Sequence, residues 1–255
     1  MSFQPVSRLD GHVAVITGGK GAIGFATAQR LASLGARIVS IDRSDPAGVQ
    51  ALLDTLPAVA SGVHFALTAS ITDTPALNAA AKAVHERAGR CDILINSAGF
   101  TQPVAANDLE GLTDELFDDV VQTNLRGVFA TIRAFTPMLK ASGDGLIVNV
   151  SSIAGFTGAG SNLAYAAAKA GVDVLTKGLA KALAPQIRVL AVSPGVVDSS
   201  FVPGRGADFN EKAAATIPLK RIGHVEDTAS AIEACATTLR FATGSRFVVD
   251  GGRSL

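Results

Sequence analysis

Short apolar runs alternate with longer stretches of helical periodicity along almost the whole chain. The runs are VAVIT (13–17), ARIVSID (36–42), VHFAL (63–67), DILINSA (92–98), GLIVNVSS (145–152), IRVLAVSP (187–194) and RFVVDGG (246–252). They are rich in Val and Ile and mostly continuous, which predicts strands covered on both faces, as in a parallel sheet. Between them, 22–34, 72–89, 113–141, 162–184 and 225–240 carry Ala and Leu at helical spacing. Such repetition predicts an α/β fold: a doubly wound, mostly seven-stranded parallel sheet with helices on both faces, of Rossmann type. Right-handed crossovers then restrict the topology strongly. No internal repeat, low-complexity stretch or Pro/Gly linker divides the 255 residues, so one domain over 1–255 is expected. The segment 198–218, DSSFVPGRGADFNEKAAATIP, fits the alternation poorly and follows a strand end. Insertions at the carboxyl ends of strands are where ligands bind in this architecture, so it reads as a substrate lid.

Composition narrows the function classes. Hydrophobic residues make up 48% and charged ones 17%, which excludes a disordered chain. Lys+Arg and Asp+Glu both number 22, so the basic excess expected of a nucleic-acid binder is missing. No apolar run reaches the ~18 residues of a membrane span. The start, MSFQPVSRLDG, lacks the basic and apolar regions of a secretory signal. Cys91 and Cys235 are far apart, and the four histidines are scattered, so neither a disulfide framework nor a metal site is expected. A cytoplasmic, reduced, metal-free protein follows.

Chemistry first shows where the first strand meets the first helix. TGGKGAIG (Thr17–Gly24) lies between them. A glycine turn there lets backbone N–H groups approach a pyrophosphate, and the helix N-terminus adds about half a positive charge. The second strand ends on Asp42, 24 residues after Gly18. An acid at that place can accept hydrogen bonds from the ribose hydroxyls of NAD and would repel the 2′-phosphate of NADP. Arg43, next in the chain, could favour that phosphate, so NADP is the lesser expectation. Lys20 in the turn is either a phosphate contact or a solvated loop cation.

Further motifs follow: NSAG (Asn96–Gly99), NVSS (Asn149–Ser152), YAAAK (Tyr165–Lys169) and PG (Pro194–Gly195). With the glycine turn, these resemble the single-domain branch of the short-chain dehydrogenase/reductase family, and the resemblance runs the length of the chain. YxxxK alone is a weak sign. Thirteen residues after a Ser at a strand end, with the glycine turn upstream, it is a strong one. Tyr165 is also the only tyrosine, and there is no tryptophan.

The resemblance implies Tyr165 as general acid/base. Tyr165 and Lys169, at i and i+4, share one helix face. The lysine ammonium and the nicotinamide are expected to lower the phenol from its usual ~10 toward working pH. In this family the lysine also holds the nicotinamide ribose. Ser152, thirteen residues before Tyr165, is expected to hold the substrate oxygen, and Ser151 to serve the turn. Asn124 matches the asparagine that kinks the long helix and holds a water leading to the lysine. For the cofactor, Gly18, Ile23 and Gly24 match the turn, and Asn96, Ala98 and Gly99 the adenine-ribose side. Pro194, Gly195 and Val197 match the nicotinamide side, where Ser199 replaces the usual threonine. The chain departs from the family at Ala22 for the middle glycine and at Ser97 for the second Asn. Ser70, beside Ile71, stands where many relatives place an adenine-binding Asp.

The reaction so implied moves a hydride between nicotinamide and a secondary alcohol or ketone, such as a polyol, sugar or hydroxy-ketone. NAD points to alcohol oxidation. Substrate walls are sought in Phe100, Ile153, Ala154, Phe156, Phe201 and Phe209, with Arg205 a candidate for an anionic group. Relatives commonly form homotetramers through the two long helices and the C-terminal strand, so a homotetramer is expected. An NADPH-dependent carbonyl or 3-oxoacyl thioester reductase is the alternative. A non-catalytic nucleotide sensor on the same fold is a second one, set against the complete Asn124, Ser152, Tyr165 and Lys169 set.

Overall fold

A computed structural model describes residues 8–206 and 208–255. Most of the N-terminal segment read for a signal, and Ala207 within the expected lid, lie outside them. Seven strands form one parallel sheet: β1 (Val13–Thr17), β2 (Arg37–Asp42), β3 (Phe65–Thr68), β4 (Ile93–Asn96), β5 (Gly145–Val150), β6 (Ile187–Pro194) and β7 (Arg246–Val249). Their order is β3-β2-β1-β4-β5-β6-β7. The order reverses between β1 and β4, which opens a crevice at the carboxyl ends of these strands. In register, Thr17 pairs with Asn96 and Asn96 with Asn149, so the strand ends form one level rim.

The continuous apolar runs have a simple cause. Alternate residues of each strand feed two separate cores. Val13, Val15, Val39, Leu94, Ile147 and Val189 face one side, with Phe135 and Val172. Ala14, Ile16, Ile38, Ile95, Val148 and Leu190 face the other, with Leu31 and Ile232. Only β7, at an edge, alternates between exposed and part-buried residues.

The helices are α1 (Ala22–Ser33), α2 (Pro46–Leu53), α3 (Thr74–Ala88), α4 (Asp114–Val121), α5 (Gly127–Ala141), α6 (Ala154–Thr157), α7 (Leu163–Leu183), α8 (Phe209–Thr216) and α9 (Val225–Thr237). Several differ from the expectation, among them the short α6, which lies outside the stretches expected to be helical. α2 also falls outside those stretches, yet Asp45 caps it, accepting from the Ala47 N–H, Pro46 begins it, as helix starts favour, and Val49 and Leu53 form its buried face. The helix expected over 113–141 is broken into α4, a π-helical turn over Gln122–Arg126 and α5. The expected lid is not all loop, since α8 occupies its second half and Ile217 is buried. Among the described residues, no helix is long and apolar enough to cross a membrane. None of their His, Cys, Asp and Glu side chains form a group of three that could hold a metal.

Candidate active site

The crevice holds a cavity of about 1070 Å³ beside β5 and β6 and a narrower recess of about 240 Å³ beside β2. Gly21, Ser97, Gly99 and Phe201 line both, so the two adjoin.

The recess side is built from backbone. Gly18 has φ +68, and a Cβ there would stand 2.8 Å from the Ala98 backbone. Gly24 is tighter still, because its Cβ would meet the Gly18 carbonyl oxygen at 2.3 Å. Only glycine allows strand, turn and helix to approach so closely. No side chain caps α1 at Gly21, so the first N–H groups of that helix are free to receive an anion. Asp42 lines the recess, and its Oδ1 accepts from the Ser44 N–H at 3.0 Å. Among the described residues no cation pairs with this carboxylate. An uncapped helix start and an unpaired acid across one recess fit the pyrophosphate and adenosine ribose of a dinucleotide. Arg43, Ser70, Ile71 and Ala98 line the recess too. Ser70 Oγ shares a 2.8 Å hydrogen bond with Thr72.

Three cofactor candidates line neither space, the first being Gly24, which packs under the turn against Gly18. Asn96 lines neither space; it is buried, and its Nδ2 donates to Asn149 Oδ1 at 2.8 Å. Asn149 donates in turn to Thr176, so this pair braces β4, β5 and α7. Lys20 is exposed and lines neither space, which favours the solvated reading.

The large cavity is built from side chains. Ser152, Tyr165 and Lys169 line it together, as do Ile23, Pro194, Gly195, Val197 and Ser199. Asn162 caps α7, its Oδ1 accepting from the Tyr165 N–H at 2.7 Å, and its Nδ2 donates to the Gln102 carbonyl. That cap fixes the start of the helix where Tyr165 sits. Asn162 was not among the expected site residues, although a polar cap before an apolar helix is a legible signal. Lys169 is buried, and Nζ donates to the Val150 carbonyl at 2.7 Å, 5.6 Å from the Tyr165 ring centre. Ser151 donates to the Lys169 carbonyl and Ser152 accepts from the Ala154 N–H. Ser151 was expected to serve the turn, but it bonds across to α7 and lines the cavity as well; the contact within the turn is made by Ser152.

The phenol departs from expectation. Burial pushes Tyr165 up to about 12, against a downward pull from the Ser152 hydroxyl. Burial also brings Lys169 down to about 8, against the opposing field of Asp173 one turn further on. The protein alone therefore keeps Tyr165 protonated, suited to donate a proton. A positive charge brought beside the phenol would lower it further than the Ser152 hydroxyl does.

Asn124 is central to the π turn and fully buried. Its Nδ2 donates to the Phe100 and Val120 carbonyls at 2.6 and 2.9 Å, and its Oδ1 accepts from the Phe100 N–H. The side chain is thus engaged in pinning the loop after β4 to the π turn. Phe100 lines the recess instead of the large cavity. Phe156 lies outside both and is half exposed under the Arg246 guanidinium. Ile153, Ala154, Phe201 and Phe209 do line the cavity, with Phe201 6.0 Å from Tyr165 between ring centres. The opposite wall, Pro103–Ala106, comes from the loop after β4 and carried no sequence signal.

Comparison with known proteins gives one picture. A family model described as Enoyl-(Acyl carrier protein) reductase matches residues 18–254. A 3-oxoacyl-(acyl-carrier-protein) reductase FabG of Thermotoga maritima is 35% identical over 250 residues, covering 96% of this chain and 98% of that protein. The protein of the same name from Escherichia coli K12 is 31% identical over 247 residues, covering 96% and 98%. Among solved structures, levodione reductase superposes with TM-score 0.89 at 31% identity, covering 97% of this chain and 99% of that one.

Proposed function

The chain belongs to the short-chain dehydrogenase/reductase family and is an oxidoreductase that binds a nicotinamide cofactor, and we propose that it interconverts a secondary alcohol and a ketone with NAD(H). The observation that carries this reading is the convergence of Ser152, Tyr165 and Lys169 on one cavity that adjoins the Asp42 recess. Gly18, Gly24 and the start of α1 would hold the pyrophosphate, Asp42 the adenosine ribose, and Lys169 the nicotinamide ribose. The bound nicotinamide supplies or accepts the hydride. Ser152 would hold the substrate oxygen, and Tyr165 passes a proton to or from it.

Asp42 supports NAD(H) over NADP(H), because a carboxylate without a cation partner repels a 2′-phosphate. A second reading, reduction of a 3-oxoacyl thioester with NADPH, is favoured by the names of the relatives and by the size of a cavity with apolar walls. A homotetramer is supported by exposed Phe129 and Val174 on α5 and α7 and by Val248 on the free edge strand. A 26 kDa species in sedimentation at micromolar concentration would remove it. The 198–218 segment, which supplies Phe201 and Phe209 to the wall, is proposed as the lid. Added cofactor should protect it from proteolysis.

Rates with NADH and NADPH, on ketones that include a 3-oxoacyl thioester, test the assignment. Preference for NADH on a simple ketone supports the first reading. NADPH-linked turnover of the thioester alone would replace it with the second, and no turnover of any ketone or alcohol would sink both.

A further inference from the structure

The charged side chains that line the large cavity are Lys169, Arg205 and Arg253, and no Asp or Glu lines it among the described residues. In a chain with equal numbers of cations and acids, this is a local sorting of charge. Apolar walls concentrate its field. Two of the three cations have evident roles or surroundings. Lys169 is fixed on Val150 beside Tyr165. Arg253 is exposed at the rim and donates Nη1 to Thr216 at 2.9 Å.

Arg205 is the exception. Its guanidinium lies over the Phe209 ring, 4.5 Å from the centroid, and Nη1 donates to the Val197 carbonyl at 2.9 Å. Nε is buried and has no partner. No carboxylate forms an ion pair with it among the described residues. Asp198, whose field it feels, accepts from Asn210 instead. Holding a part-buried cation without a counter-charge has a cost, and leaving its buried Nε unpartnered adds to it. The Val197 carbonyl occupies Nη1 and Nε is closed off from the cavity, so Nη2 is the donor left to a ligand. A charged donor of this kind suits an anionic oxygen.

Taking the cavity as the substrate site proposed above, we propose that the substrate is an oxo acid or hydroxy acid whose carboxylate is received by Nη2 of Arg205. The contact aims the other end of the molecule at Ser152 and Tyr165. Arg205 is then a specificity-determining residue, and a neutral ketone of equal size is a poor substrate.

The test uses 3-, 4- and 5-oxohexanoate and their methyl esters with the full chain and reduced cofactor, so that the spacing of ketone and carboxylate is scanned. At least one acid should exceed its ester tenfold or more in kcat/KM. R205Q should lower that acid at least tenfold more than its ester, chiefly through KM. R205K, which keeps the charge and loses the fork, should fall between and shows that the site still folds. Calorimetric titration of the same acids into enzyme with NADH gives a readout without turnover, and R205Q should weaken the best of them tenfold. If no ketone turns over but this weakening is seen, the reaction assignment fails and the anion site stands. Acids no better than their esters, or bound no more tightly than by R205Q, would overturn the carboxylate contact. So would an equal loss of NADH affinity in R205Q, which would assign Arg205 to the cofactor. Acetoacetyl-CoA outrunning every acid, with R205Q slowing it, would move the contact to phosphates of a carrier and overturn it as well.

Discussion

The two sides of the crevice are made of different material. Beside β1 and β2 the surface is backbone: a glycine turn without room for a Cβ, an uncapped helix start and one unpaired acid. Beside β5 and β6 it is side chain: Ser152, Tyr165 and Lys169, faced by walls from two loops distant in sequence. Backbone N–H groups cannot be exchanged by substitution, so the first side suits a ligand that never changes. Side chains on loops can be exchanged one at a time, which suits a ligand that does.

Substitutions should separate the sides, beginning with the largest effect. Tyr165→Phe removes the proton carrier, and turnover should fall roughly 10²–10⁴-fold, the usual worth of a general acid/base. NADH binding, followed by its fluorescence, should change far less, because the recess is not touched. Equal loss of both would mean that the sides are not separable. Gly24→Ala inverts the experiment. Its methyl meets the Gly18 carbonyl at 2.3 Å, an overpacking that costs about 1–3 kcal/mol. Cofactor affinity should weaken roughly 10- to 100-fold, measured by the same titration. Asp42→Ala should shift the NADH to NADPH ratio of kcat/KM toward NADPH by about tenfold, in line with the ~1.4 kcal/mol of one modest charge interaction. An unchanged ratio would remove Asp42 from cofactor choice.

The smallest effect concerns pH. Lys169 holds its proton only up to about 8, because burial penalises its charge. Ketone reduction, which uses that ammonium beside Tyr165, should therefore decline as pH rises through this region. Asp173 opposes the penalty, so Asp173→Asn should move the alkaline limb to lower pH, by about one unit or less. A pH profile identical in the variant would dissociate Asp173 from the lysine. The same depression has a thermodynamic sign. Between about 8 and 10.5 the unfolded chain keeps the lysine proton that the folded chain has lost, so this group adds stability as pH rises through that window. Tyr165 acts oppositely, taking stability away between 10 and about 12.

Much of this was legible beforehand. Apolar runs gave the strands because both faces of a parallel sheet are buried, and TGGKGAIG gave the turn because only glycine permits the approach. YAAAK placed Tyr165 and Lys169 together because helical spacing fixes i and i+4 on one face. Other features were hidden. The π turn at Asn124 depends on carbonyls of Phe100 and Val120, one of them 24 residues away. Asn96 was assigned to the cofactor, yet its partner is Asn149, 53 residues on. Phe100, Phe156 and Phe201 look alike in the sequence as aromatic wall residues; Phe156 and Phe201 are about equally exposed, and only the fold decides that Phe201 lines the large cavity while Phe100 lines the recess and Phe156 neither.

Local order thus came from the chain itself: which residues form strands, where the glycine turn falls, and which helix carries the phenol and the ammonium. These depend on steric limits and periodicities that act over a few neighbours. The tertiary structure decided what surrounds each group: the burial that holds Tyr165 protonated and draws Lys169 down, the walls that enclose the cavity, and the isolation of Arg205. Desolvation and charge pairing depend on every atom within a few ångströms, and those atoms arrive from parts of the chain whose separation no local pattern encodes.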